Sequence, residues 1–189
     1  KTLGTKVGDE YIQLNTAIIQ IEIEYYSSIR PKRLVGSGEW PINALRDNGI
    51  EYVEIRALDN NIYDPFGISD ETAIFLESFL FYCLLSEDQP CDADEINKIQ
   101  NNWGNVVLFG RDEDLKLQFK EGSIPLRDKA AEILDEMTNF ESRIGNEEYR
   151  NIFKKSLESQ RHKISDSNMT PSGKLLREIT ASGLSWDEY

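Results

Sequence analysis

The sequence predicts an α+β chain, with a few antiparallel strands in the first third followed by a mainly helical region. Two observations predict it. Up to about Asp59 the apolar residues are β-branched and alternate with polar ones, the period of a strand. From Ser69 onward they recur three and four residues apart between capping signals, the period of a helix. The change falls near residue 68, so residues 1–68 read as the β-containing part and residues 69–189 as the helical part of the same domain, with no linker between them. At 189 residues the chain is long enough to bury a core. Its 39% apolar and 29% charged residues are a globular balance.

Taken in order, Lys1 to Glu10 is polar, holds Gly4 and Gly8, and reads as a loop. One or two strands are expected between about Tyr11 and Ser28, where Ile12, Leu14, Ile18, Ile19, Ile21 and Ile23 cluster. Ile21, Ile23 and Tyr25 would share one face, and Glu22, Glu24 and Tyr26 the other. Paired acids on one face suit a metal or acid–base pair, or simply solvent. The cationic run Arg30-Pro31-Lys32-Arg33 follows, where Pro31 disfavours helix. Val35 to Gly38 is a loop. Trp40 to Asn48 is a short helix, with Pro41 in its first turn and Gly49 past its end.

Gly49 to Asp59 is the central strand, bounded by turn signals. Val53, Ile55 and Ala57 fall on its expected core face; Tyr52, Glu54 and Arg56 fall on the other. A carboxylate and a guanidinium two residues apart on one face can enter the same cleft. Glu54 has the oxygen that Mg²⁺ prefers, and Arg56 the fork that phosphate prefers. An exposed ion pair fits the same pattern, so the residues alone leave both readings open.

The helical part opens at a cap on Ser69 or Asp70. The helix to about Leu85 is apolar nearly all round and is expected to be buried on several sides, with Cys83 an inert core thiol. Asp92 and Glu95 form a capping box for a helix ending near Trp103-Gly104. Val106–Phe109 and Leu115–Phe119 read as short extended runs. Leu126 to Ile144 has helical period, as does Glu147 to Arg161, with Tyr149, Ile152, Phe153 and Leu157 inward. His162 lies at a helix end, where it complements the dipole. Thr170-Pro171 starts a last helix, closed by Gly183.

The formal net charge of −13 argues against nucleic-acid partners and anionic membrane surfaces. The most apolar run, Ala73 to Leu85, is too short to span a bilayer. Two cysteines without framework spacing suit the cytoplasm. No glycine-rich phosphate loop and no Gly-x-Ser-x-Gly is present, so an enzyme here would work through carboxylates, cations and a metal.

Gln-Ile-Glu-x-Glu-Tyr-Tyr-Ser-Ser-Ile-Arg-Pro-Lys-Arg (Gln20 to Arg33) and Gly-Ile-Glu-Tyr-Val-Glu-Ile-Arg-Ala-Leu-Asp (Gly49 to Asp59) resemble the later part of proteobacterial glutamate–cysteine ligase. The resemblance continues through Asp64-Pro65-Phe66-Gly67-Ile68, Asn102 to Arg111 and Ser172 to Gly183. It implies a glutamine-synthetase-like fold, whose antiparallel sheet forms a funnel for ATP, Mg²⁺ and amino acids. The implied reaction joins L-glutamate to L-cysteine with ATP, through a phosphorylated glutamate side chain, as the first step of glutathione synthesis. Such chemistry depends on positioning and charge stabilisation. By motif, Glu54 matches a metal-ligand glutamate, and Arg56 the arginine that contacts the transferred phosphoryl group. Arg30 and Lys32 fall in a phosphate-holding motif. Ile23 departs from the family, which carries asparagine there. A glutamate–amine ligase of the same fold, or a non-catalytic helical module, would share much of this pattern. The family's chain is longer, so an earlier segment is expected to complete the site, and these 189 residues are expected to be a fragment.

Overall fold

The computed structural model describes residues 6–7, 10–11, 28–87 and 90–188. The strands expected between Tyr11 and Ser28, with Glu22, Ile23 and Glu24, fall outside the described residues. Two compact units divide the chain, Lys1–Asp59 and Asn60–Tyr189.

In the first unit, β1 (Lys6–Val7) pairs antiparallel with β2 (Glu10–Tyr11), within a stretch that reads as loop by composition. β3 (Ile29–Lys32) pairs antiparallel with β4 (Tyr52–Ile55), and α1 (Pro41–Asn48) lies in their connection. Proline sits in the first turn of α1, where a missing N–H costs nothing. Gly49 ends the helix at φ 76°, a conformation that L side chains rarely adopt, and donates to Leu45 O.

The second unit is mainly helical. α2 (Asp70–Leu85) starts at Ser69, whose side chain accepts from the Thr72 N–H. α3 (Ala93–Phe109) starts at Asp92, which accepts from the Glu95 N–H. α3 runs five residues beyond Gly104 and takes in Val106 to Phe109, expected to be extended. A mid-helix glycine lowers helix stability by only about 1 kcal/mol, less than a continuous hydrogen-bond ladder gains. β5 (Lys116–Phe119) and β6 (Gly122–Pro125) form a hairpin. Asn102 of α3 braces it, donating to Gln118 O at 2.7 Å and accepting from Gln118 N at 2.8 Å.

α4 (Leu126–Thr138) and α5 (Glu147–Ser165) follow. α6 (Pro171–Ser182) is capped by Thr170, whose hydroxyl accepts from Gly173 N, and stops at left-handed Gly183. Gly173 allows a close approach: a Cβ there would stand 2.4 Å from Ser167 O.

The core lies where α2, α4 and α5 meet. Leu134, Met137, Phe153 and Leu157 are buried, with Phe75, Phe79, Tyr82, Ile133, Ile144 and Ile164 packed against them. Phe75, Phe79, Tyr82 and Phe140 form a chain of ring contacts 5.9–6.2 Å between centroids. Not every apolar residue joins this core. On α2, Phe81, Leu84 and Leu85 are exposed, so the helix is not enclosed as its composition suggests. Cys83 is exposed rather than in the core, and partial burial of its thiol still holds its pKa above the ordinary value. Ile152, expected to face inward, is also exposed. α5 and α4 pack on α2, and Phe81, Cys83, Leu84 and Leu85 are not covered by that packing. No helix among the described residues is long and apolar enough to cross a membrane.

Phe153→Ala removes the largest side chain of the buried cluster and leaves a cavity. Urea denaturation of the helical unit should show a loss of about 3–5 kcal/mol; a loss below about 1 kcal/mol would mean that this core does not hold the unit.

Candidate active site

The β3–β4 register decides which side chains meet. Arg30 stands opposite Glu54, and Lys32 opposite Tyr52. Because side chains alternate along a strand, Arg30, Lys32, Tyr52 and Glu54 share one face. The pairing continues past the strand ends, with Arg56 N–H donating to Ser28 O at 2.7 Å. That places Arg56 on the same face as Glu54, two residues away. The alternation of bonded and non-bonded pairs also explains Pro31 in a strand. Opposite Val53 it occupies a position whose N–H would point away from β4.

The side chains close the arrangement. The Lys32 ammonium lies 3.0 Å from Glu54 Oε2. Arg56 donates through Nε to Glu54 Oε1. One carboxylate is thus held between two cations, with a third, Arg30, across the ribbon. Arg56 and Lys32 hold the Glu54 carboxyl below the ordinary glutamate range, in that order of effect. Glu54 is therefore ionised at neutral pH. The face is partly open, with Arg56 43% and Glu54 31% exposed at the side chain. The opposite face is also open. Val53 is 39% exposed and Ala57 is exposed, so the expected core face is not buried among the described residues.

Arg33 belongs to the same cationic run but does something else. It points to the other side and donates to Asn48 O at 2.8 Å and Gly49 O at 3.2 Å. Those carbonyls end α1, where a cation is favoured. Leu34 N donates to Glu51 Oε2 at 3.1 Å, a second tie across the connection. Spacing identified Glu54 and Arg56 as neighbours. It did not show the Lys32–Glu54 contact, which needs the register.

Chemically, Lys32 and Arg56 on one carboxylate, with Arg30 at the same face of the ribbon, make a donor set of the kind that suits an oxyanion. The Arg56 Nε–H is engaged by Glu54, and among the described residues the terminal NH₂ groups make no further hydrogen bond. The donor set does not suit a bare metal ion. Glu54 is a single carboxylate with both oxygens engaged, and no three His, Cys, Asp or Glu side chains converge among the described residues. One carboxylate does suit Mg²⁺ that arrives with phosphate oxygens, the usual mode for this ion.

Fold and face together define an α+β chain with a cation-rich strand face. The family model for glutamate–cysteine ligase matches residues 1–106, more than half of the 189. The chain belongs to the glutamate–cysteine ligase family. It is 37% identical over 187 residues to the glutamate–cysteine ligase of Pseudomonas fluorescens, covering 99% of this chain and 35% of the relative. With that of Azotobacter vinelandii the identity is 40% over 188 residues, again 99% and 35%. The chain therefore spans about a third of the length of the curated relatives it matches. Among solved structures, glutamate–cysteine ligase from Francisella tularensis in complex with AMP superposes with a TM-score of 0.77 at 38% identity, over 90% of this chain and 34% of that one. A bifunctional glutathione synthetase from Pasteurella multocida shares the fold, with a TM-score of 0.63 at 21% identity, over 86% of this chain and 20% of that one.

The Glu54 environment gives a pH prediction. A carboxyl whose folded pKa is depressed stabilises the fold above its unfolded pKa, and that contribution is lost as pH falls through the folded value. Carbon-13 NMR titration should find Glu54 titrating below the ordinary 4.5. Replacing Lys32 and Arg56 with methionine should return it to that range; a midpoint that does not move would show that the two cations do not set it.

Proposed function

We propose that this chain supplies the phosphate-facing strands of a glutamate–cysteine ligase. The complete protein joins L-glutamate to L-cysteine with ATP, yielding γ-glutamylcysteine, ADP and phosphate. The observation that carries this reading is the convergence of Arg30, Lys32, Glu54 and Arg56 on one ribbon face. The AMP bound in the Francisella tularensis relative supports an adenine nucleotide as the ligand.

On this reading Arg56 is the catalytic cation. Its fork holds oxygens of the phosphoryl group in transfer, where charge is spread over several atoms. Arg30 and Lys32 fix the nucleotide phosphates from the neighbouring strand. Glu54 has two tasks: it orients Lys32 and Arg56, and it offers one carboxylate oxygen to Mg²⁺. That ion, when bound, neutralises charge on the phosphate oxygens. Because the site is cation-rich and Glu54 is already ionised, no proton has to leave before the nucleotide binds. Further carboxylates and the amino-acid pockets belong to the remainder of the protein. The substrates are small molecules, with no nucleic acid or membrane involved, and the reaction is placed in the cytoplasm with the ATP it consumes.

In the full-length protein, Arg56→Ala should lower kcat roughly 10²–10³-fold, as for loss of one transition-state donor. Lys32→Met should raise KM for ATP by about tenfold or more, the loss of one charge-assisted hydrogen bond. Steady-state ADP release measures both, and wild-type kinetics in the two variants would remove the ribbon from the site. The 189-residue chain alone, given glutamate, cysteine and Mg-ATP, should release no ADP; turnover by it would show that the described residues need no further carboxylates.

A further inference from the structure

α3 carries an apolar stripe that the described packing leaves bare. At 3.6 residues per turn, Ile96, Ile99, Trp103, Val106 and Val107 fall within about 100° of one another around the helix. All five are exposed, Trp103 at 51%. The opposite side of the helix is polar, with Asp94, Lys98, Asn101 and Asn105, and there Lys98 and Asp94 are ion-paired at 2.8 Å. α3 packs on β5 through its flank, where Asn102 exchanges hydrogen bonds with the Gln118 backbone. That contact lies to one side of the stripe.

A helix with one apolar and one polar side buries the apolar one in a finished fold. Contiguous exposed apolar residues mark an interaction site, as scattered ones do not. No charged residue interrupts the stripe between Ile96 and Val107, so its complement is apolar. Its extent selects the occupant. The stripe is about 17 Å long and about 10 Å across, well short of the roughly 800 Å² per partner that a stable complex buries. A second copy of the chain would have to meet the full cost of association on that small area. A segment of the same polypeptide is already held at high local concentration, and a face of this size can seat it. The curated relatives supply such a segment, since this chain spans only 35% of the Pseudomonas fluorescens and Azotobacter vinelandii proteins.

We infer that the stripe from Ile96 to Val107 is a docking face for the remainder of the longer protein, the two thirds of its relatives' length that this chain does not span, which seats an uncharged apolar surface against Trp103. The inference rests on the reading of the chain as part of a longer protein. It does not use the ribbon of Glu54 and Arg56, so the docking face and the ligase chemistry can fail separately.

The test is hydroxyl-radical footprinting of Trp103, read by mass spectrometry, in the full-length protein and in the 189-residue chain. Trp103 should be oxidised about tenfold more slowly in the full-length protein. Trp103→Glu should lower the melting temperature of the full-length protein by about 5 °C or more. The same change should move that of the 189-residue chain by less than about 1 °C, because there the side chain is already in water. Equal oxidation in the two proteins, or an equal shift in melting temperature, would overturn the inference. So would protection already present in a monomeric 189-residue chain, or protection that appears only as that chain dimerises in light scattering. Trp103 protected in a full-length protein that releases no ADP would support the docking face and strike the ligase reading alone.

Discussion

The cross-strand pairing of Arg30 with Glu54 is the constraint on which the site depends. Strand side chains have a period of two, so a register is all or nothing. Slip β3 by one residue, and Ile29 and Pro31 replace Arg30 and Lys32 beside Glu54. The carboxylate would then lose Lys32, and the face would lose two of its three cations. With the observed register, a carboxylate that would be an ordinary exposed glutamate is braced by Lys32 and Arg56, which hold its pKa below the usual range. The arrangement rests on the hydrogen-bond phase of eight strand residues more than on any one side chain.

The bracing bears on how such a face could work. Exposed ion pairs contribute little to stability, so the Lys32–Glu54–Arg56 arrangement is poorly explained as a fold-stabilising device. It is better explained as preorganisation. Lys32 and Arg56 are long side chains with much rotamer freedom, and Glu54 restricts both before any ligand arrives. The cost of ordering them is then met in the folded chain.

Much of this was legible in the sequence, and the failures have physical causes. Periodicity found the six helices of the described residues, and Ser69, Asp92 and Thr170, where three of them were expected to start, each accept a backbone N–H. Alternation placed Glu54 and Arg56 on one face. Three features were not legible. Val106 to Phe109 look like a strand by composition but continue α3, where the hydrogen-bond ladder overrides residue preference. The burial of Val53, Leu84 and Cys83 was overestimated, because apolar character shows what a residue favours and not what is near it. The Lys32–Glu54 contact joins residues far apart in sequence, and only pairing in space reveals it.

The clasp at the base of the β3–β4 connection separates two mechanical roles. Arg33 on the carbonyls of Asn48 and Gly49, with Leu34 on Glu51, closes the loop where it leaves the ribbon. The Ser37-Gly38 turn lies beyond that closure. Extra residues spliced into the turn would enlarge a loop whose ends are already joined, at an entropic cost that grows only with the logarithm of its length. The turn is thus the natural place in this unit to graft an epitope or a fluorophore while the strands keep their alignment.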